Sequence, residues 1–177
     1  MRKDILKKIK EYCEELKVVD MQKQSNPTFL TIEKYACHLN NGQVINREKI
    51  LKNKKDGSAA IIFPMTEDNE IILAIEPRVF TEKTVDVGLP AGYIEENEQP
   101  NVSAIRELEE ETGYTTNELT FLGSFYQDQG CSGAYNYYYL AKNCKKIKNQ
   151  QLDEGEFIKY ILVTFEELEK LVEMGYI

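Results

Sequence analysis

Ile5, Ile9, Tyr12, Cys13 and Leu16 recur at three- and four-residue spacing among lysines and glutamates, which predicts a helix with one apolar stripe at the start of the chain. From Phe29 the period shortens. FLTIEKYACHL, the turn residues Asn40-Asn41-Gly42 and then QVINREKIL read as strand, turn and strand. SAAIIFPM and IILAIEP lie on either side of the turn signal Glu67-Asp68-Asn69, so residues 58–77 are expected to form a second hairpin. Further on, LTFLGSFYQ, AYNYYYLAKN and FIKYILVTF are rich in β-branched and aromatic residues and predict three more strands. The helical period then returns. Thr164 with Glu167 three residues later is a capping box, and Phe165, Leu168, Leu171 and Val172 follow it on one face.

Between the strands, Pro100 and Asn101 suit a helix start and Gly113 its C-terminal cap, with Val102, Ile105 and Leu108 as the expected buried side of a helix from roughly Asn101 to Thr112. With no internal repeat and no Pro/Gly linker, the elements predict one α+β domain with a mixed sheet between helices. The chain's 177 residues, 42% hydrophobic and 29% charged, suit a single folded core of that kind.

Charge narrows the partners. Thirty acidic residues against 22 basic leave a formal charge of −8, which repels a bare nucleic acid backbone. Tyr135, Tyr137, Tyr138 and Tyr139 are therefore read as an aromatic strand half in the core rather than as a platform for bases. Cys13, Cys37, Cys131 and Cys144 form no C-x-x-C pair, which argues against a zinc site or a disulfide framework. No run of residues reaches the ~18 of a membrane span and the N-terminus lacks the apolar centre of a signal peptide, so a cytoplasmic protein with reduced thiols is expected. The single histidine, His38, builds neither a triad nor a histidine metal cluster.

The stretch from Gly92 to Tyr114, GYIEENEQPNVSAIRELEEETGY, is the densest in candidate chemistry. Glu107 lies three residues before Glu110 and four before Glu111, so the three carboxylates share one helix face, with Glu109 off it. Like charges at this spacing repel, and hard divalent cations such as Mg²⁺ or Mn²⁺, which take oxygen ligands together with substrate phosphates, would neutralise them. On the helix alone, a solvated acidic face accounts for the three glutamates as well as a metal site does.

The wider spacing separates these readings. Gly92, Glu98, Arg106-Glu107-Leu108, Glu110-Glu111 and Gly113-Tyr114 meet every fixed position of G-x5-E-x7-R-E-U-x-E-E-x-G-U, where U is bulky and apolar. The chain thus resembles the Nudix hydrolases. The resemblance implies an α/β/α sandwich on a mixed sheet, here residues 58–177, preceded by an N-terminal extension of helix and strands in residues 1–57. It implies that Glu107, Glu110 and Glu111 are metal ligands, that Glu98 pairs with Arg106 as a structural brace, and that a nucleoside diphosphate linked to another group is hydrolysed with Mg²⁺ or Mn²⁺.

Leu89-Pro90-Ala91-Gly92 is similar to the E-L-P-A-G of ADP-ribose pyrophosphatases. That likeness implies a further metal ligand in the Ala91 carbonyl and a phosphate-binding arginine in Arg78. It implies a catalytic base in the loop LDEGEFIKYIL, with Glu154 the first candidate and Glu156 the second, beside a further catalytic part for Glu110. It also implies a homodimer built with residues 29–62, in which Phe29 is an aromatic substrate contact. The chain departs from that pattern at Gly88, where an acid is usual, at Gln129, where a proline is usual, and at Ala134, where a glutamate is usual. Cys131 and Ser132 stand where diadenosine-polyphosphate hydrolases would carry a tyrosine. ADP-ribose, cleaved to AMP and ribose 5-phosphate, is the first expectation. Another nucleotide-sugar or nucleoside-triphosphate pyrophosphohydrolase, or a non-catalytic nucleotide-sugar sensor, is the alternative.

Overall fold

The computed structural model describes residues 1–23 and 29–177. Helix α1 (Lys3–Leu16) buries Ile5 and Ile9 and packs Tyr12, Cys13 and Leu16 beside them, as its stripe predicts. Strands β1 (Leu30–His38) and β2 (Val44–Lys52) form an antiparallel hairpin in register from Leu30↔Lys52 to His38↔Val44, a two-stranded sheet of its own. Gly42 takes the left-handed conformation (φ +83°) that its turn requires.

The remaining strands are β3 (Ala59–Thr66), β4 (Ile71–Pro77), β5 (Val85–Gly88), β6 (Ala91–Tyr93), β7 (Tyr114–Thr115), β8 (Glu118–Tyr126), β9 (Tyr135–Lys146) and β10 (Lys159–Val163). They run in the order β10-β4-β3-β9-β7, with β5 on β4, β6 on β3 and β8 on β9. The expected hairpin over residues 58–77 is present at its turn, where Thr66 N donates to Glu70 O (2.9 Å) and Met65 pairs antiparallel with Ile71, but beyond that pair β3 and β4 part. Each satisfies its backbone groups elsewhere. Strand β3 pairs in parallel with β9 and antiparallel with β6, while β4 pairs with β10 and β5. Strands β5, β6 and β7 are too short to leave a two-residue period in the sequence.

Two cores sandwich this split sheet. Ile71, Leu73 and Ile75 face α1 and α3 (Phe165–Glu173), packed with Ile5, Ile9, Val163 and Leu171. Ile72, from the opposite face of β4, joins Ala60, Ile62, Tyr139 and Ala141 beneath Ala104 and Leu108 of α2 (Pro100–Thr112). Covering both faces of β4 explains its uninterrupted apolar run, each fully buried Ile or Leu contributing about 2 kcal/mol. The α/β/α arrangement is the one expected. Tyr139 lies in the core and Tyr135, Tyr137 and Tyr138 are half-buried, which agrees with the aromatic-strand reading.

Two helix faces differ from expectation. Helix α2 buries Ser103, Ala104, Glu107, Leu108, Glu111 and Thr112, whereas Val102 is 52% exposed and Ile105 half-buried. Small Ala104 joins Ala60 of β3 in the core beneath the helix, and the face presented there carries two glutamates inward and leaves Val102 outward. In α3, Leu168 and Leu171 pack but Phe165 and Val172 are exposed. The capping box is present: the Thr164 hydroxyl accepts from Glu167 N (3.3 Å), and Glu167 Oε2 accepts from Thr164 N (3.1 Å). The buried Glu167 carboxylate also accepts from Arg2 N (2.7 Å), Nε (3.0 Å) and Nη2 (2.7 Å). Those Arg2 bonds pull its pKa down to about 2 and fasten the N-terminus to α3. Among the described residues no helix is long and apolar enough to cross a membrane.

Candidate active site

Helix α2 carries the candidate carboxylates, and its ends are set by the residues expected to set them. Pro100 occupies its first turn, and Gly113 closes it at φ +73°, where its N–H reaches Glu109 O (2.9 Å). Along the helix, Glu107 and Glu111 point under the sheet edge, 8% and 3% exposed, while Glu110 lies further out with a third of its side chain exposed.

Gly92 on β6 makes room for Glu107. A Cβ at position 92 would stand 2.0 Å from Glu107 Cδ and 2.1 and 2.3 Å from its two carboxylate oxygens. Next to it, Ala91 N donates to Glu111 Oε2 (3.1 Å). The glycine that opens the acidic stretch therefore serves close approach of backbone to carboxylate. Burial pushes the Glu107 carboxyl up to about 7, against the opposing pull of Arg106. Burial, then the charges of Glu76 and Glu107, push Glu111 well above the usual carboxylate range, and the Ala91 N–H only partly offsets them.

Arg106 and Glu98 form the expected pair in a bidentate fork, with Nε to Oε1 at 2.8 Å and Nη2 to Oε2 at 2.9 Å. The other Nη2 contacts are Tyr93 O (3.0 Å) and Ser103 Oγ (3.2 Å), and Nη1 reaches Glu107 Oε1 (2.7 Å) and Glu110 Oε2 (2.9 Å). Glu98 Oε2 also accepts from Glu95 N (2.9 Å). One guanidinium thus fastens β6, the loop after it and the carboxylate face of α2. The Arg106 hydrogen bond holds the Glu98 carboxyl below its ordinary range.

The other expected residues gather around this centre to differing degrees. Arg78 is half-exposed at the end of β4, and its Nη2 donates to Glu76 Oε1 (2.6 Å). Phe29 lies against Tyr93, ring centroids 6.2 Å apart, which brings the N-terminal hairpin to the strand that carries Gly92. In the turn Asp153–Glu156, Glu156 N donates to Asp153 O and Asp153 N to Glu156 Oε2, both at 3.1 Å. The Glu156 charge adds a minor upward push to the carboxyls of Glu76, Glu107 and Glu111. Glu154 is exposed and, among the described residues, makes no hydrogen bond or ion pair.

Glu76 escaped the sequence reading. Its place in β4 opposite Asp86 of β5 turns it to the α2 side with Ala74 and Ile72, and burial raises its pKa first of all. The only signal was a charge at the end of an apolar run, which also marks the end of any strand. Asp86 bears on the Gly88 departure, since a Cβ on Gly88 would stand 2.8 Å from Asp86 Oδ2. A carboxylate therefore already occupies the space beside Gly88. The departing segment 127–134 docks on the hairpin: Cys131 O accepts from Ile50 N (2.8 Å), and Gln127 joins Lys52 Nζ (2.6 Å) to Gly57 O (2.7 Å).

Buried, like-charged carboxylates with raised proton affinity fit a hard divalent cation in the kind of donor they offer. Among the described residues no three acidic, histidine or cysteine side chains converge as a finished ligand set, and Arg106 Nη1 engages both Glu107 and Glu110. The Gly92 cradle and the inward turn of Glu107 and Glu111 are what distinguish the cluster from a solvated acidic face.

A family model of the NUDIX domain matches residues 55–176. The chain is 38% identical over 136 residues to an ADP-ribose pyrophosphatase of Bacillus subtilis (strain 168), covering 76% of this chain and 71% of that protein. It is 38% identical over 130 residues to a methanol dehydrogenase activator of Bacillus methanolicus, covering 73% of this chain and 68% of that protein. A crystal structure of an ADP compounds hydrolase shares the fold with a TM-score of 0.69 at 23% identity, over 88% of this chain and 81% of that one.

Proposed function

The chain belongs to the Nudix hydrolase family, and on that premise we propose that it hydrolyses ADP-ribose to AMP and ribose 5-phosphate. The observation that carries the reading is the pair of buried carboxylates, Glu107 and Glu111, held on one helix face over Gly92 and braced through Arg106. Members of the family generally use divalent metal ions, and Mg²⁺ or Mn²⁺ when bound neutralises a diphosphate and acidifies a water molecule. Glu107, Glu110, Glu111 and the Ala91 carbonyl would hold it.

The chain's own residues supply the rest. Arg78 at the cluster's rim would bind the substrate phosphates, and Phe29 beside Tyr93 would stack on the base. In the reaction, a water oxygen forms a bond to one phosphorus and the bridging P–O bond breaks. The water's proton passes to a carboxylate in the Asp153–Glu156 turn. Glu154 and Glu156 are the two candidates there. The exposed Leu30, Ile32 and Tyr35 of the hairpin support a homodimer through residues 29–62, and four free cysteines support a cytoplasmic setting.

Gln129 and Ala134 favour one second reading, a different nucleotide sugar cleaved by the same machinery, because they lie in the segment that docks beside Lys52 and the hairpin. Product analysis with Mg²⁺ across ADP-ribose, sugar nucleotides, dinucleotide polyphosphates and nucleoside triphosphates decides between them. AMP release from ADP-ribose, abolished in a folded Glu111→Gln, is the expected result. Tight ADP-ribose binding without AMP release would make the protein a sensor.

A further inference from the structure

The last turn of α2 ends in a collar formed by residues 146–151. A helix C-terminus leaves its final carbonyls without intrahelical partners. Here Glu110 O accepts from Gln151 N (2.9 Å), Glu111 O from the Gln150 side-chain amide (2.6 Å) and Thr112 O from Lys146 Nζ (2.6 Å). Ile147 N and Lys148 N close the collar on Gly113 O at 2.9 and 3.3 Å.

Gln150 does more than cap. Its Nε2 also donates to Ile158 O (3.0 Å), so both N–H groups of one primary amide are used. Ile158 is buried and ends the segment that carries Glu154 and Glu156, in which residues 153–157 are exposed and Gly155 is left-handed at φ +92°. One side chain therefore joins the residue that bears the deepest carboxylate of α2 to the first buried residue after the base-bearing turn.

We infer that Gln150 is a positioning residue for hydrolysis, a strut that fixes the Asp153–Glu156 turn against the carboxylate end of α2. The inference rests on the hydrolytic reading above. A general base works at a heavy-atom distance of about 2.6–3.2 Å from the atom whose proton it takes. A displacement of about 1 Å is enough to lower a rate by about a hundredfold. The exposed turn has no apolar anchor of its own between residues 153 and 157, so its distance from α2 is set at its two ends, by the Gln151 N bond to Glu110 O before it and through Gln150 to Ile158 after it.

Gln150→Leu keeps a side chain of similar bulk and removes both donors. Lys146→Met is its control, because it deletes the neighbouring bond to Thr112 O and leaves the link to Ile158 intact. Steady-state kcat and KM on ADP-ribose with Mg²⁺, Mn²⁺ affinity by calorimetry and thermal midpoints are measured for both. Gln150→Leu is expected to lose roughly tenfold to a hundredfold in kcat, with KM and Mn²⁺ affinity unchanged. Lys146→Met is expected to lose stability but not kcat. A wild-type kcat in Gln150→Leu, or an equal loss of kcat in both variants, overturns the inference while leaving the hydrolytic reading standing. A wild-type protein inactive across the whole substrate panel overturns both. If Gln150→Leu fails to fold, Gln150→Ala reads the same split between kcat and KM.

Discussion

Gly92→Ala separates the fold from the chemistry. The added methyl would lie 2.0 Å from Glu107 Cδ. Carbon atoms pack at about 3.5 Å or more, so the carboxylate must recede by roughly 1.5 Å. It is the free end of a flexible side chain, and it yields more readily than β6, which is laddered to β3 through Ala60↔Gly92 and its neighbours. The lost Arg106 contact is partly offset as the carboxylate regains water, leaving a net destabilisation of about 1 kcal/mol, or roughly 2–4 °C in the thermal midpoint. The rate is expected to fall by about a hundredfold, because the displacement exceeds the tolerance of a positioned group. Mg²⁺ or Mn²⁺ affinity should weaken with it. Calorimetry, kcat on ADP-ribose and a melting curve test this together. A folded Gly92→Ala with native kcat and native metal affinity would refute the role given to Glu107.

Arg106→Lys keeps the charge but loses the fork to Glu98 and the reach to Tyr93 O; a loss of about 2 kcal/mol is expected in denaturant titration, with a parallel fall in kcat. In EDTA, stability should decline as pH rises from about 4.5 to about 7, because burial makes the folded protein hold the Glu107 proton more tightly than the unfolded chain does. The swing from Glu107 alone is on the order of 3 kcal/mol. Saturating Mg²⁺ should flatten it, and melts that strengthen from pH 5 to 8 in EDTA would contradict the assignment. The opposite effect at Glu167, whose pKa is lowered, lies outside this window: its stabilisation is lost only as pH falls from about 4.5 through about 2. Thr164→Ala should cost about 1 kcal/mol, read from the thermal midpoint, by removing half of the capping box with activity retained.

The acidic stretch was legible because its spacing is local. Residues three and four apart on a helix share a face in any fold, and Glu98 reaches Arg106 across one short loop. Pairing was not legible where it depends on distant partners. Nothing in SAAIIFPM and IILAIEP says that they part after Met65 and Ile71, since that follows from β9, β6, β10 and β5 competing for their edges. The buried side of α2 misled for a physical reason. Hydrophobic pattern points to Val102 and Ile105, but the helix turns Glu107 and Glu111 inward, a departure from patterning of the kind active sites make. Glu76 and Gln150 carry no motif, and each acquires its role only through a neighbour, Asp86 across β5 or the carbonyls of Glu111 and Ile158.

The parting of β3 and β4 has an evolutionary consequence. Ala104 and Leu108 close the gap by packing on both halves, so the carboxylates belong to a wedge that neither half owns. The loop 78–84 extends from one half and the segment 127–134 from the other. Either lip can gain, lose or exchange residues across generations without crossing the ladder of its counterpart. Descent can therefore rewrite the surroundings of Gln129 and acquire a new leaving group while Glu107, Glu110 and Glu111 stay where they are.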